Sequence, residues 1–259
     1  MSFWQRRTSD VPLVVGHRGG RGPDFPVENT LDAFERARAG GARAMELDVQ
    51  ASGDGEAVVV HDTDLARITG GADPRPVAAL EWAELRAVAL PGGARIPRLS
   101  DVLDWAEAYG IALNVEVKRD GANKAALVRR VARLVRHAKI DVLLSSFDPA
   151  LLALVGALAP GVPRAWLTDP EESPPFAIFR ATAYRPLIQA IHPRWDQLTE
   201  SNVRAFHARG LAVGCFTVNE PEKAARVAAL GVDWIITDRA RELSLQFSQS
   251  AGTRSVPAG

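Results

Sequence analysis

Residues 42–62 read ARAMELDVQASGDGEAVVVHD, and the reading of this stretch decides the fold. An apolar run over 42–47 carries Glu46, with Asp48 just beyond it. Only a few residues, Ser52-Gly53-Asp54-Gly55 among them, separate it from a second run over 57–60. A parallel crossover needs a dozen or more residues, so 57–60 is predicted to fold back as a hairpin partner. Working outward, comparable Val, Ile and Leu-rich runs occur at 11–15, 111–115, 142–144, 164–167, 187–191, 211–216 and 233–236, eight in all with 42–47. Helical periodicity fills 30–39, 124–137, 149–158, 200–209 and 220–230, often followed by a terminating Gly. Runs that are apolar throughout suit parallel strands covered on both faces, and eight of them suit closure into a (β/α)8 barrel of the TIM type better than an open doubly wound sheet.

One break in the rhythm is too long for a plain loop. Residues 63–97 are rich in Gly and Pro, with one short helix expected over 79–88, and read as a small cap inserted after the hairpin. The expected organisation is a single barrel over 1–246 with that insertion, followed by a polar, disordered tail over 247–259. A chain of 259 residues with 47% hydrophobic content buries one large core. The 31 basic and 31 acidic residues cancel, which provides no global attraction to nucleic acid or anionic membrane. Any phosphate recognition is therefore local. The single cysteine, Cys215, excludes an intramolecular disulfide and a Cys-based zinc cage. No signal-type apolar segment opens the chain and no apolar stretch approaches transmembrane length, so a cytoplasmic enzyme acting on a small molecule is expected, with oligomeric state left open.

Barrel enzymes carry their chemistry at the C-terminal ends of the strands. Here those ends hold Gly16-His17-Arg18-Gly19-Gly20, Glu46-Leu47-Asp48, His61-Asp62 and Glu116-Val117-Lys118. Residues two apart on a strand share a face, which pairs Glu46 with Asp48 and Glu116 with Lys118. Three carboxylates converging on one mouth repel unless a cation joins them, and oxygen-only ligands favour Mg²⁺ or Ca²⁺. With Asp54-Gly55 as a two-residue turn, Asp48 stands opposite His61; a three-residue loop reverses that parity. His17 and His61 beside a metal suit phosphodiester cleavage, one imidazole taking a proton from the attacking oxygen and the other protonating the leaving alkoxide. Arg18 and Lys118 are placed to clamp phosphate oxygens, or to pair with the same carboxylates.

These motifs, together with Glu28-Asn29-Thr30, Gly53-Asp54-Gly55, Thr217-Val218-Asn219 and Thr237-Asp238-Arg239, resemble in order those of the glycerophosphodiester phosphodiesterase family and span nearly the whole chain. The resemblance implies a barrel with a small insertion after the His-Asp pair. It further implies a divalent metal on Glu46, Asp48 and Glu116, His17 and His61 as the acid/base pair, and glycerophosphodiesters as substrates cleaved to an alcohol and glycerol 3-phosphate. Val27 stands where the family usually has Pro, Ser52 where Thr is common, and Phe216 where Trp is common, which bears on the apolar wall facing the glycerol. Two other readings compete. One is a related lipid phosphodiesterase acting on lysophospholipid or sphingolipid head groups, with Trp82, Leu85 and Leu90 as an apolar lip; the other is a non-catalytic phosphodiester-binding barrel.

Among the remaining polar residues, Asn29 reads as a helix N-cap and Glu28 as a support for the metal shell. His137 and His207 read as surface helix residues, and His192 as a group able to face the mouth. Asn219 and Asp238 are placed to position ligand or cap helices, and Asp62 to orient His61.

Overall fold

The computed structural model describes residues 3–5, 11–22, 25–121, 123–171 and 187–253, with side chains to 249. Eight parallel strands close a barrel: β1 (Leu13–His17), β2 (Ala44–Ala51), β4 (Ala112–Val117), β5 (Val142–Ser146), β6 (Arg164–Thr168), β7 (Ala190–Pro193), β8 (Ala212–Cys215) and β9 (Trp234–Thr237). Closure comes from β1 lying between β9 and β2, in a register that sets Val15 beside both Ile236 and Ala44. Each of the eight apolar runs supplies one barrel strand. β2 is long enough to overshoot the barrel, and its last three residues pair with the antiparallel β3 (Ala57–Val59), Val49 still pairing with Val117 of β4 as well.

Strand parity sorts the side chains. Met45, Leu47, Val49 and Ala51 of β2 face the surrounding helices in the main core, so Ala44, Glu46, Asp48 and Gln50 face the barrel interior. The interior floor is built largely from alanines, Ala44, Ala112, Ala165, Ala190 and Ala212, which leave room for two indoles, Trp234 and Trp4. These pack edge to face with ring centroids 5.4 Å apart, so an N-terminal residue plugs the bottom of the barrel. The hairpin differs from its expected register. Val49 pairs with Val59 and Ala51 with Ala57, Ser52 N donates to Glu56 O at 3.0 Å, and the link is the three-residue loop Gly53-Asp54-Gly55 with Gly55 at φ 81°. Asp48 therefore stands across from Val60, whose N–H it accepts at 3.0 Å, and His61 lies past the end of β3.

The insertion packs a core of its own, in which Leu65, Val77, Leu80, Leu85, Leu90 and Ile96 close over Val58 and Val60. Leu85 and Leu90 face inward there, and Trp82 lies beneath Arg98, so these side chains do not form the apolar lip. The helix expected over 79–88 is a single turn, α2 (Trp82–Leu85), flanked by 3-10 turns at Val77–Ala79 and Pro91–Gly93; Pro76 and Pro91 bracket a segment too short to propagate. The expected helices are present as α1 (Leu31–Ala39), α4 (Lys124–Val135), α5 (Pro149–Leu158), α6 (Glu200–Ala208) and α7 (Pro221–Ala229), joined by α3 (Leu99–Tyr109), which sequence reading passed over. The polar tail expected over 247–259 is helical as far as Thr253, because α8 (Ala240–Thr253) runs into it. Leu243 and Phe247, four apart on one face, are both buried against the barrel; residues 254–259 lie outside the described range.

Candidate active site

At the C-terminal mouth of the barrel, a cavity of about 620 Å³ is lined by His17, Arg18, Glu46, His61, Glu116 and Lys118, with Phe147, Trp195 and Phe216 on its apolar side. All seven residues singled out from sequence converge here. Six line that cavity, and Asp48 lies fully buried behind them. The parallel register of β2 and β4 sets Asp48 beside Glu116. Ligand atoms of Glu46, Asp48 and Glu116 all lie within 4.8 Å of one another.

Burial makes this cluster expensive without a counter-charge. Desolvation, then the negative charges of Asp48 and Glu116, push the Glu46 carboxyl well above its ordinary range despite Arg18 and Lys118. For Asp48 burial acts in the same direction, but Arg18, then Lys118 and His61, and the Asn29 amide outweigh it and hold the carboxyl low. Lys118 Nζ lies 2.9 Å from Glu116 Oε1 and 3.6 Å from Asp48 Oδ1. Asp48 Oδ1 is buried without a hydrogen-bond partner. An all-oxygen donor set holding a buried unsatisfied carboxylate oxygen fits a hard divalent cation.

The loop after β1 is shaped to deliver Arg18. Arg18 adopts φ 52° and Asn29 φ 59°, a left-handed backbone that costs a non-glycine residue of order 1 kcal/mol and concentrates at functional sites. The loop is stitched in place by Arg18 N to Glu46 O and Asn29 N to Arg18 O, both 2.9 Å. Gly19 is required where it passes α1, because a Cβ there would meet the Ala33 carbonyl carbon at 2.5 Å. Arg18 Nη1 donates to Glu28 Oε1 at 2.9 Å. Its Nε lies 2.9 Å from Asp48 Oδ2, an ion pair without hydrogen-bond alignment. Asn29 is not the cap of α1. Thr30 fills that position, accepting from Ala33 N at 3.3 Å, which frees the Asn29 amide to donate to Asp48 Oδ2 at 2.9 Å.

The two imidazoles are held alike. His17 Nδ1 lies 2.8 Å from Asp238 Oδ1, and Asn219 Nδ2 donates to Asp238 Oδ2 at 2.8 Å. His61 Nδ1 lies 2.6 Å from Asp62 Oδ1, and Arg67 Nε donates to Asp62 Oδ2 at 2.6 Å. Burial pushes the Asp238 and Asp62 carboxyls up, but hydrogen bonding and charge, led by His17 and by Arg67 respectively, outweigh it and leave both as low-pKa carboxylates. An ionised carboxylate only accepts, so Nδ1 of each ring carries the proton and Nε2 is the free atom. His17 Nε2 sits 3.9 Å from Glu46 Oε2. His61 reaches the mouth despite the altered hairpin because Gln50 Nε2 donates to the carbonyls of His61 and Asp62 at 2.7 and 2.5 Å.

Other polar residues fall elsewhere. His192 points into the barrel floor, where Trp234 Nε1 donates to its Nε2 at 3.0 Å, and burial lowers its pKa to about 3. It does not face the mouth. His207 is not a plain surface residue; its Nε2 lies 2.9 Å from the buried Asp233. Arg67, which no sequence motif marks, is joined to the site through Asp62 and Glu28. A neighbouring His-Asp motif and a Glu before a helix signal acceptors in need of a donor, but not which arginine supplies it.

Comparison with known proteins agrees with this arrangement. A model of the glycerophosphoryl diester phosphodiesterase family matches residues 17–242, which begins at His17 and takes in every group described above. A glycerophosphodiester phosphodiesterase from Bacillus altitudinis is 32% identical over 238 residues, 87% of this chain and 94% of that protein. The crystal structure of a glycerophosphodiester phosphodiesterase from Thermotoga maritima superposes with a TM-score of 0.72 at 27% identity, covering 90% of this chain and 97% of that one. An Oleispira antarctica phosphodiesterase, solved with its product sn-glycerol-3-phosphate, shares the fold at a TM-score of 0.81 and 23% identity over 92% and 97% of the two chains. A match that runs from His17 to the last helix, on a barrel of the same shape, leaves one conclusion: the chain belongs to the glycerophosphoryl diester phosphodiesterase family.

Proposed function

We propose that this chain hydrolyses glycerophosphodiesters to an alcohol and glycerol 3-phosphate, by acid/base catalysis from His17 and His61 beside a divalent cation held by Glu46, Asp48 and Glu116. The observation that carries the reading is that both imidazoles, each tied at Nδ1 to a carboxylate, line the same cavity as the carboxylate cluster. When bound, Mg²⁺ or Ca²⁺ supplies charge for the phosphoryl oxygens and relieves the repulsion within the cluster. The chain's own groups do the rest. Arg18 and Lys118 line the cavity as fixed positive charges and orient the phosphate. Burial, followed by Arg18, holds the His17 pKa below 6.5 against the opposing pull of Asp238, so its Nε2 is a free base near neutral pH and accepts the proton of the attacking oxygen. His61, with 30% of its side chain exposed against 9% for His17, stands nearer solvent and, acting as the imidazolium with its Nδ1 proton held by Asp62, gives its Nε2 proton to the departing alkoxide. Phe147 and Phe216, edge to face at 5.9 Å, form the wall against which the glycerol carbons pack.

The lysophospholipid alternative lacks the lip it needs, since Leu85 and Leu90 are buried within the cap. Among the described residues no helix is long and apolar enough to cross a membrane. The deciding measurement is release of glycerol 3-phosphate from a panel of glycerophosphodiesters with and without EDTA. His17→Ala and His61→Ala are each expected to lower kcat by about 10²–10⁴-fold with the fold intact, and Glu46→Gln to abolish metal-dependent turnover. An enzyme that stays fully active after Glu46→Gln contradicts the reading.

A further inference from the structure

We infer that Arg67, carried by the inserted cap, is a positioning residue for turnover: it locks His61 and Arg18 into one frame through Asp62 and Glu28. The inference rests on the proposed roles of those two groups. Its basis is a continuous chain of short polar contacts. His61 Nδ1 meets Asp62 Oδ1 at 2.6 Å, and Arg67 Nε donates to the other oxygen of Asp62 at 2.6 Å. The two terminal nitrogens of Arg67 then fork onto Glu28, Nη1 to Oε2 at 3.0 Å and Nη2 to Oε1 at 2.8 Å. Glu28 Oε1 also accepts from Arg18 Nη1 at 2.9 Å, and Arg18 Nε lies 2.9 Å from Asp48 Oδ2. One guanidinium thus joins the hairpin that delivers His61 to the β1 loop that delivers Arg18.

Only a planar fork with a third donor to spare makes these contacts together, which a lysine ammonium cannot do. The backbone beneath Arg67 is fixed by the cap core, since Leu65 and Ile68 on either side are buried there. The opposite imidazole shows what the device replaces. Asp238, which holds His17, has its far oxygen tied by Asn219 from the barrel itself, whereas Asp62 is tied by the cap. Arg67 has 48% of its side chain exposed and Asp62 26%. An exposed pair such as Arg67–Asp62 contributes little stability, about 0–1 kcal/mol, and the buried Glu28 keeps Arg18 as a partner without Arg67, so holding the fold together does not account for the arrangement. What the arrangement does fix is the direction of two side chains that the sequence places on separate elements, and it ties the cap to the active site through a residue, Arg67, that does not itself line the cavity.

The test is Arg67→Ala, with turnover of glycerophosphocholine measured at saturating metal. The expected result is a kcat lower by about 10–100-fold, KM within about threefold, an unchanged thermal midpoint, and partial restoration of kcat by added guanidinium, which an exposed site admits. Asp62→Asn is expected to lower kcat as well, and the double variant to lose clearly less than the two single losses multiplied, because the two residues share the arm that holds His61 while the Glu28 arm to Arg18 is lost only with Arg67. In long-range ¹H–¹⁵N spectra taken at a pH high enough for the ring to be neutral, the His61 signal of the parent is expected as the Nδ1–H tautomer, and as a mixture in Arg67→Ala. Arg67→Lys serves where the alanine variant does not fold, and is expected to remain about tenfold slow. A kcat within threefold of the parent in both variants, or losses that add in the double variant, overturns the inference. His61→Ala measured alongside keeps the two levels apart: if it is inactive while Arg67→Ala is normal, only the positioning role fails, and if it is active the proposed function itself fails.

Discussion

At His17 two influences oppose each other. Burial favours the neutral ring and the adjoining Arg18 adds to that, while the hydrogen bond and charge of Asp238 favour the protonated one, and burial prevails. A histidine whose pKa in the folded protein is below 6.5 keeps its free base at pH values where an exposed imidazole is already charged. If His17 is the base, the acid limb of kcat/KM lies below pH 6.5, and a bound cation pushes it the same way. In Asp238→Asn the limb is expected to move lower still, because a raising influence is gone. The plateau is expected to drop about 10²-fold, because an amide no longer enforces the Nδ1–H tautomer. A rate–pH profile with its acid limb above 6.5 would remove His17 from that role. The carboxylates and His17 were legible in the sequence because a period of two fixes which face a strand residue takes and the ends of apolar runs mark the mouth, whereas His61 reaches it by the contacts of Gln50 rather than by strand parity. Asn29 and Arg67 were not, because their partners, Asp48 at 2.9 Å and Glu28 at 2.8 Å, are brought near only by closure of the barrel and docking of the cap.

Among the elements, β8 shows how tightly the floor is specified. Gly214 lies under the Trp234 indole, and a Cβ there would fall 2.0 Å from Nε1 and 2.5 Å from Cδ1. Trp234 cannot move aside freely, because its Nε1 donates to His192 Nε2 at 3.0 Å and His192 Nδ1 has no hydrogen-bond partner. Gly214→Ala therefore both overpacks the floor and breaks a buried hydrogen bond, and a loss of about 3 kcal/mol in urea unfolding is expected; a loss under about 1 kcal/mol would mean that the indole repacks. The strands themselves could be read from the sequence because apolar runs of this length have few alternatives. The helix Leu99–Tyr109 was passed over, although Leu99, Val102, Leu103 and Ala106 recur at helical spacing and Gly110 closes it at φ 66°. It adjoins the Gly- and Pro-rich cap, whose composition masked it. The hairpin register failed for a different reason: Gly53-Asp54-Gly55 is compatible with loops of two or three residues, and the contacts that choose, Gly53 N to Leu80 O at 2.7 Å and Trp82 N to Asp54 Oδ1 at 3.1 Å, come from the cap.

Across the whole molecule the barrel has two ends with separate tasks. The C-terminal mouth gathers the charged groups, while the N-terminal end is closed by Trp4, 2% exposed, which packs on Trp234 and donates from Nε1 to Asp141 O at 3.1 Å. A barrel floored by alanines cannot fill itself, so the indole from the chain's start completes a core that the strands leave short. Trp4→Ala leaves that volume empty, and a buried Trp replaced by Ala costs about 3–5 kcal/mol. At the lower end of that range, the expected effect is a thermal midpoint lower by roughly 6–12 °C at 2–4 °C per kcal/mol. The layers above the plug are held by the strand ladder and by the main core outside the barrel, neither of which involves Trp4. Turnover measured well below the midpoint should therefore keep kcat and KM within about twofold of the parent, since a surface or core change far from the chemistry leaves transition-state contacts in place. A fall in kcat of tenfold or more at full folding would show that the floor and the mouth are mechanically coupled, through the Trp234–His192 contact that lies between them.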